Sequence, residues 1–434
     1  MNEIEKILKE SKSQIDTLQV PDELEDRLRS ALEKSYPHKQ TKKKWKMKVA
    51  ALLIAFILGG YHIDTLAFYT KKLIGYDQVM NSNLKELNQL GNGQVIKKSY
   101  TFKNGVTVTL DGVMLDDNQL LMFYTVKDPD KRVDEIELVS HSIEGLLEDY
   151  KAQGGYGSIN DEKTEMKSIN TFESPSIFEK KLKWTFTLFM KKDIDHQEEG
   201  EITFTLDKDK AMGHTLKKDI YKKVKIDKGQ ISIDSILASK TMTRIEGTIQ
   251  NPIELAIDHM TQKRFRPSQI ELELIVNDKK IREQSSGIRT DKDGIKFHKD
   301  YDPIVVDLNK IQMKFISLEA DYDVNEKIKI QQNNKNKSFK VLNKDIIINE
   351  VSQSEEKTFV TITTREDVIL SKVKLMIDEK KVSLQKTISD EYNKNTHKRT
   401  LVFEGIGQNL ELDIQRMQYK EMYNQTIDIM YNNI

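Results

Sequence analysis

Apolar residues follow three different patterns along this chain, and each pattern predicts a different kind of structure. In residues 1–48 they recur every three or four positions, which is the spacing of one helix face. From Val49 to Tyr69 they form a nearly continuous run. Beyond Gly91 they mostly alternate with polar residues, as in strands that bury one face. The sequence therefore predicts a mainly β protein, in which short N-terminal helices and one apolar helix precede the strands.

The N-terminal part contains one strongly signalled helix. Pro21 stands in its first turn, acidic residues follow at once and basic residues come later, an order that suits the helix dipole. The apolar face of this helix comprises Leu24, Leu28, Ala31 and Leu32. A region of about 40 residues builds at best a marginal core, so this face needs a cover. Spacing leaves two arrangements open: an amphipathic hairpin lying on itself or on the inner leaflet, and a helix bound in the groove of a cytoplasmic partner.

The apolar run at residues 49–69 is predicted to be a transmembrane helix, because about 20 residues cross the ~30 Å hydrocarbon core. His62 and Asp64 lie in its final third, where they can reach the interface. A buried core helix and a signal peptide are the alternatives. No small-residue cleavage site follows directly, which favours an uncleaved anchor. The anchoring side chains are Val49, Leu52, Leu53, Ile54, Phe56, Ile57 and Leu58.

The distribution of lysine predicts the orientation of this helix. Only Lys71 and Lys72 follow the run closely. Many more lysines precede it, namely Lys39, Lys42, Lys43, Lys44, Lys46 and Lys48. By the positive-inside rule, the N-terminus is cytoplasmic and the bulk of the chain is outside. We therefore expect a single-pass protein of the cell membrane that contacts the lipid bilayer.

The region after the run is predicted to form about three sandwich-like, β-rich domains. A polar helix over Tyr76–Leu90 comes first. The Asn104-Gly105 pair between two alternating segments predicts a hairpin, and Gln119–Val126 predicts a third strand. The Gln/Asn/Lys stretch at Gln331–Lys337 indicates a linker. The predicted divisions are a cytoplasmic arm at 1–48, the membrane helix at 49–69, and β-rich domains at 70–220, 221–332 and 338–434.

Composition argues against several classes of function. The 69 basic and 69 acidic residues cancel, which disfavours direct binding of nucleic acid. The absence of cysteine excludes disulfides, thiolate nucleophiles and iron–sulfur clusters. The eight histidines are scattered without metal-binding spacing. We therefore expect no metal, no cofactor and no enzymatic activity, and the sequence nominates no catalytic residue.

Two short segments resemble ligand loops but lack essential parts. GGYGS at Gly154–Ser158 has the glycines of a phosphate-binding loop without its lysine, and it is predicted to be a mobile loop. Asp291, Asp293 and Gly294 resemble the start of a calcium loop, but the later ligands are missing. This second segment is predicted to be a hairpin turn.

Several longer stretches resemble the membrane-anchored, anti-sigma-factor-like proteins of low-GC Gram-positive bacteria. They are VPDELEDRLRSAL at 20–32, the lysine-rich entry to the anchor, LKELNQLGNGQ at 84–94, FKNGVTVTLDGVMLDDNQLLMFYT at 102–125 and GYGSINDEKTEMKSINTFESPSIFEKKL at 155–182. The later segments GQISIDSILAS, DVILSKVKLMID and MQYKEMYNQTIDI resemble the immunoglobulin-like and terminal β-modules of these proteins. The part of such proteins outside the membrane begins with a conserved domain of unknown function.

This resemblance implies a single-pass regulator. Its cytoplasmic arm would sequester an extracytoplasmic-function-type sigma factor, and the β-rich part would sense an unknown extracellular ligand. The face formed by Leu24, Leu28, Ala31 and Leu32 is the expected contact with the sigma factor. The alternative is a cell-surface adhesion or ligand-binding protein without a sigma-factor partner.

Overall fold

The computed structural model describes residues 72–176, 178–304, 310–332, 335–393 and 395–431, and these residues are mainly β, as the sequence predicts. The predicted cytoplasmic arm and membrane helix lie outside these ranges. Within the described ranges, no helix combines the length and the apolar content that crossing a membrane requires.

The described part opens with an irregular segment and a short helix, α1 (Ser82–Gln89). The Asn81 side chain accepts a hydrogen bond from the backbone N–H of Leu84 at 2.8 Å and so caps the helix. Gly91 follows with a left-handed φ of +77°. The helix is therefore shorter than the one predicted over Tyr76–Leu90, because Asn81 favours a cap over a helix interior.

Eight antiparallel strands form the first sheet, in the order β1-β2-β3-β6-β5-β4-β7-β8. As predicted, β1 and β2 form a hairpin around Asn104-Gly105, and β3 extends it to a meander. The bounds are β1 (Gln94–Thr101), β2 (Thr107–Leu115), β3 (Gln119–Lys127), β4 (Ile136–Glu144), β5 (Asp149–Ile159), β6 (Glu165–Glu173), β7 (Lys181–Met190) and β8 (Asp193–Thr205), with 3-10 turns at Val133–Glu135 and Lys208–Lys210.

Side-chain hydrogen bonds bring the two edge strands of this sheet together. Gln94 Nε2 on β1 donates to the carbonyl oxygen of Thr205 on β8 at 2.7 Å, and Lys98 Nζ donates to that of Thr203 at 2.8 Å. The strands curl around a core that includes Trp184 and Phe186, whose rings lie 4.3 Å apart. Edge strands that meet in this way present less open edge to solvent.

The rest of the described chain contains fifteen strands and one helix. They are β9 (Leu216–Ile226), β10 (Gly229–Ala238), β11 (Thr243–Gln250), α2 (Pro252–Thr261), β12 (Phe265–Val276), β13 (Lys279–Ile281), β14 (Glu283–Asp291), β15 (Gly294–Tyr301), β16 (Lys310–Ile330), β17 (Lys337–Val341), β18 (Lys344–Ser354), β19 (Lys357–Arg365), β20 (Ile369–Ile377), β21 (Lys380–Asn393), β22 (Thr396–Glu404) and β23 (Leu410–Tyr431). The turn between β14 and β15, where Asp291 is paired with Gly294, confirms the predicted hairpin.

These strands form a five-stranded sheet, β14-β15-β11-β10-β9, and a ten-stranded sheet, β13-β12-β16-β23-β20-β21-β22-β19-β18-β17. The long strand β23 lies between β16 and β20. Pairing therefore continues across the linker predicted at Gln331–Lys337, and one core contains side chains from both sides of it. The division into domains at 221–332 and 338–434 stays a prediction.

A buried polar junction connects the first sheet to the strands that follow it. In the turn between β2 and β3, the Asp116 carboxylate accepts a hydrogen bond from the backbone N–H of Thr241 at 3.0 Å. Asn118 Nδ2 donates to the carbonyl oxygens of Leu237 and Met242 at 2.9 and 3.1 Å. Burial raises the pKa of Asp116. The directed hydrogen bonds fix how this turn meets the turn between β10 and β11.

Candidate functional site

The residues that the sequence nominates for function fall outside the described ranges. These are the partner-binding face (Leu24, Leu28, Ala31, Leu32) and the membrane anchor (Val49, Leu52, Leu53, Ile54, Phe56, Ile57, Leu58). Both assignments stay predictions. The described residues offer two other sites in the first sheet, a cleft and a buried polar cluster.

The cleft opens where β4 and β5 separate. The two strands pair only near their shared turn, over Ser142–Glu144 and Asp149–Lys151. Away from the turn, β4 stays paired with β7 and β5 stays paired with β6. The resulting opening has a volume of about 510 Å³. Separated strands in an otherwise continuous sheet give a small ligand access to side chains near the core.

The cleft has a mixed lining. Tyr124, Ser168 and Asn170 supply polar groups, and Ile136, Leu138 and Met166 are among its apolar residues. The Tyr124 hydroxyl donates to Asn170 Oδ1 at 3.4 Å. Burial raises the pKa of Tyr124, so its hydroxyl stays protonated at neutral pH and can donate. Apolar walls with a few directed polar groups are typical of sites for small polar molecules.

The glycine-rich segment Gly154–Ser158 is part of β5, so the prediction of a mobile loop is wrong. A Cβ atom on Gly155 would lie 2.1 Å from Asn170 Oδ1, and one on Gly157 would lie 2.3 Å from Ser168 Oγ. The glycines therefore permit β5 to pair closely with β6 beside two polar side chains of the cleft. The two-residue spacing of Gly155 and Gly157, which places both on one face of a strand, was the signal for this arrangement.

A buried carboxylate holds the turn at the closed end of the cleft. Glu179 is fully buried, and its two oxygens accept hydrogen bonds from the backbone N–H groups of Leu146 and Leu147, each at 2.8 Å. These two donors lower the pKa of Glu179. Glu179 thus fixes the point from which β4 and β5 diverge.

The Asp111 cluster lies on the other face of the sheet and consists of Tyr76, Lys97, Asp111 and Thr125. Tyr76 is 1% exposed, and its hydroxyl donates to Asp111 Oδ2 at 2.6 Å. Thr125 Oγ1 and Lys97 Nζ also donate to this carboxylate. A bulge in β1 between Val95 and Lys98 includes Lys97, whose φ is +57°. Asp111, the one charged residue of strand β2, was the sequence signal for this cluster.

Tyr76 belongs to the entry segment, residues 73–90, which packs on the first sheet. Leu73, Tyr76, Leu84 and Leu87 from this segment form a hydrophobic cluster with strand residues such as Phe123. The rings of Tyr76 and Phe123 meet edge to face at 5.3 Å. Residues 70–72 separate this segment from the run at 49–69, so the packed structure begins directly after the predicted membrane helix.

Strands β3 and β6 connect the two sites, because successive side chains of a strand point to opposite faces. On β3, Tyr124 lines the cleft and the next residue, Thr125, belongs to the Asp111 cluster. On β6, Ser168 lines the cleft, whereas Lys167 Nζ lies 5.0 Å from the centre of the Tyr76 ring. A displacement of either strand would move side chains at both sites together.

Among the described residues, no group of three or more His, Asp and Glu side chains is arranged to hold a metal ion. The arrangement suits binding and the transmission of strand movement.

Comparison with solved structures gives low similarities. A conserved domain protein from Bacillus anthracis is 14% identical over 59% of this chain and 91% of its own, with a TM-score of 0.39. Bovine butyrophilin is 7% identical over 46% of this chain and 86% of its own, with a TM-score of 0.14. An uncharacterized protein from Listeria monocytogenes is 8% identical over 70% of this chain and 29% of its own, with a TM-score of 0.15. We infer neither fold nor function from these similarities.

No curated protein matches the chain. One family model does match, and it begins in the lysine-rich segment before the predicted membrane helix and ends just after β3. All four residues of the Asp111 cluster lie inside the match. The match, over residues 38–128, is to the model of the domain of unknown function DUF4179.

Proposed function

We propose that this chain is a single-pass membrane regulator. In this proposal the cytoplasmic arm at 1–48 sequesters an extracytoplasmic-function-type sigma factor, and the β-rich part outside the membrane senses a ligand. The observation that carries the proposal is the extent of the family match at 38–128. This one family unit contains the predicted membrane helix, the entry segment and strands β1 to β3, so it includes the sequence on both sides of the proposed membrane crossing.

The sensing half of the proposal is supported by the two-faced strands of the first sheet. A ligand that enters the cleft would contact Tyr124 on β3 and Ser168 on β6. The next residues of these strands, Thr125 and Ile169, contact the entry segment. In the sequence, residues 70–72 connect the predicted membrane helix to the entry segment. Binding energy that favours one position of β3 and β6 would therefore change the position of the entry segment.

The regulatory half is supported by the sequence of the arm. Its predicted helix has one apolar face that so short a region covers poorly by itself, and a bound partner would cover it. On the resemblance to anti-sigma-factor-like proteins, the proposed partner class is a sigma factor, and the strands after β8 are proposed to form the immunoglobulin-like modules.

The test is co-purification of the full chain from membranes of the cell that produces it. Leu28→Asp introduces a charge on the apolar face, and Ser30→Asp introduces the same charge on the opposite side of the predicted helix. We expect the wild type and Ser30→Asp to retain a stoichiometric sigma factor and Leu28→Asp to lose it. All three chains should insert equally, since the changes lie outside the apolar run.

Retention of the sigma factor by Leu28→Asp would contradict the proposed contact face. Absence of a sigma factor from all three purifications, with the chains intact in the membrane, would contradict the regulator itself.

The second candidate is a cell-surface adhesion or ligand-binding protein without a sigma-factor partner. The position of the cleft favours this candidate. The family match ends at residue 128, and most residues that line the cleft come after it. Deletion of residues 1–35 separates the two candidates. The phenotype of the cell should depend on these residues for a regulator and be independent of them for a surface protein.

A further inference from the structure

A cationic pocket lies in the ten-stranded sheet, far along the chain from the cleft. It has a volume of about 480 Å³. The residues that matter for its chemistry are Arg264, Arg266, Asp323, Lys372, Gln415 and Arg416. They come from the start of β12 and from β16, β20 and β23, so the folded sheet assembles the pocket from distant parts of the sequence.

Two bulges face each other across β23 and bring these charges together. Arg416 on β23 is paired with Asp323 on β16 and with Lys372 on β20. In the pairing of β16 with β23, the register shifts between Asp323 and Glu326. In the pairing of β20 with β23, it shifts on both sides of Lys372. Bulges re-aim side chains and are over-represented at binding sites.

The positive charge in the pocket exceeds its nearby negative charge. Arg266 pairs with Asp323 at 2.9 Å, and Arg416 pairs with Asp321 at 3.0 Å. Within the part of the chain that the structure describes, no ion pair includes the guanidinium of Arg264 or the ammonium of Lys372. The pocket thus contains two cations that its own carboxylates leave uncompensated.

A buried donor in the pocket also lacks an acceptor. Nε of Arg416 is buried, and among the described residues no atom accepts a hydrogen bond from it. Leaving such a donor unsatisfied costs free energy, so the surroundings of Arg416 satisfy its guanidinium only in part. In the pocket itself, an oxygen with negative charge would compensate the cations that the carboxylates leave unpaired.

We propose that the cationic pocket binds a phosphate group. Guanidinium groups bind the oxygens of phosphate through paired, charge-assisted hydrogen bonds, and a lysine adds a point charge. A tetrahedral group presents oxygens in more directions than a planar carboxylate does, which suits a pocket lined by Arg264, Lys372 and Arg416. The phosphate is either free or part of a phosphodiester, and the chemistry of recognition is shared by both.

The experiment is isothermal titration of the full chain in detergent, with ionic strength held constant by chloride. One arm uses inorganic phosphate and the other uses a glycerol phosphodiester. We expect one saturable site for at least one probe, and the tighter probe identifies the source. The double variant Arg264→Gln/Lys372→Gln should weaken binding by at least about tenfold, because two charge-assisted contacts are lost.

Lys374→Gln provides the matched control, since it removes the same charge from the same strand outside the pocket. It should bind as tightly as the wild type. Lys372→Gln alone changes an exposed side chain and keeps the test valid if the double variant folds poorly. The proposal is overturned if neither probe binds the wild type, or if the pocket variants bind as tightly as Lys374→Gln.

Discussion

Two buried carboxylates, Asp111 and Glu179, each fix one segment at the first sheet. Asp111 attaches the entry segment through the hydroxyl of Tyr76, and Glu179 attaches the β4–β5 turn through two backbone N–H groups. Both carboxylates are at most 5% exposed. A buried carboxylate is stable only where donors surround it, so each of them specifies a single position for its partners.

Tyr76→Phe tests the attachment of the entry segment. The change removes a hydrogen bond to a charged acceptor without altering the packed ring, so the free energy of unfolding should fall by about 1.5–3 kcal/mol. Denaturant unfolding measures the loss. In the control, Tyr100→Phe, the lost hydroxyl contact is exposed and 3.3 Å long, and the change should cost less than about 0.5 kcal/mol. Equal losses in the two variants would contradict a special role for the Asp111 cluster.

Glu179 gives the β4–β5 turn a defined dependence on pH. Its folded-state pKa is lowered from 4.5, so its contribution to the free energy of unfolding is fully present above 4.5 and is lost as the pH falls through the folded-state value. The stability difference between the wild type and Glu179→Gln should therefore shrink on acidification. Unfolding curves from about pH 7 to pH 3 measure it.

Glu199→Gln, on an exposed position of β8, is the control for this titration. Its stability should follow that of the wild type at every pH. A constant difference between the wild type and Glu179→Gln over the whole range would mean that the carboxylate charge does not hold the turn.

At the scale of elements, strand β5 depends on its glycines unequally. A Cβ atom on Gly157 would lie 2.9 Å from the carbonyl oxygen of Lys167 and 2.3 Å from Ser168 Oγ, whereas one on Gly154 would meet no atom within 4 Å. Gly157→Ala should therefore lower the free energy of unfolding by about 1–3 kcal/mol. Gly154→Ala should be neutral or stabilising by up to about 1 kcal/mol. Thermal unfolding distinguishes the two, and a destabilised Gly154→Ala would contradict the geometry of β5.

The elements that the sequence predicts well are those determined by local chemistry. Asn104-Gly105 defines the β1–β2 turn by its own backbone preferences, and the Asp291–Gly294 turn follows the same logic. The sequence misassigns Gly154–Ser158 because glycine favours loops locally. The reason for glycine in this strand is the close approach of Ser168 and Asn170 on β6, which only the fold shows.

The cleft and the cationic pocket could not be predicted from the sequence. The cleft exists because β4 pairs along its length with β7, from which β5 and β6 separate it in the chain, while β5 pairs with β6. The pocket requires two bulges to coincide on Arg416. Neither the alternation of residues nor their spacing carries this information, whereas the single charge of Asp111 in strand β2 could have indicated a buried polar cluster.

At the scale of the whole molecule, successive parts of the described chain are joined in two ways. Polar contacts join the first sheet to the strands after it, and a shared sheet joins the strands on the two sides of Gln331–Lys337. The Asp116–Thr241 junction connects the first sheet to the next strands through directed hydrogen bonds. Farther on, strands from before and after Gln331–Lys337 share one sheet and one core. The two connections differ in kind, since the first is a contact between turns and the second is continuous strand pairing.

The position of β23 has a consequence for biosynthesis. It is the last strand of the described chain, yet it lies between β16 and β20 and contributes Leu412, Ile414 and Met417 to the shared core. A growing polypeptide therefore leaves both partners with open edges until ribosomes have translated residues 410–431. Chains released early by a premature stop codon would expose those edges to proteases and chaperones. The pairing of β16 and β20 within one sheet thereby depends on the translation of β23.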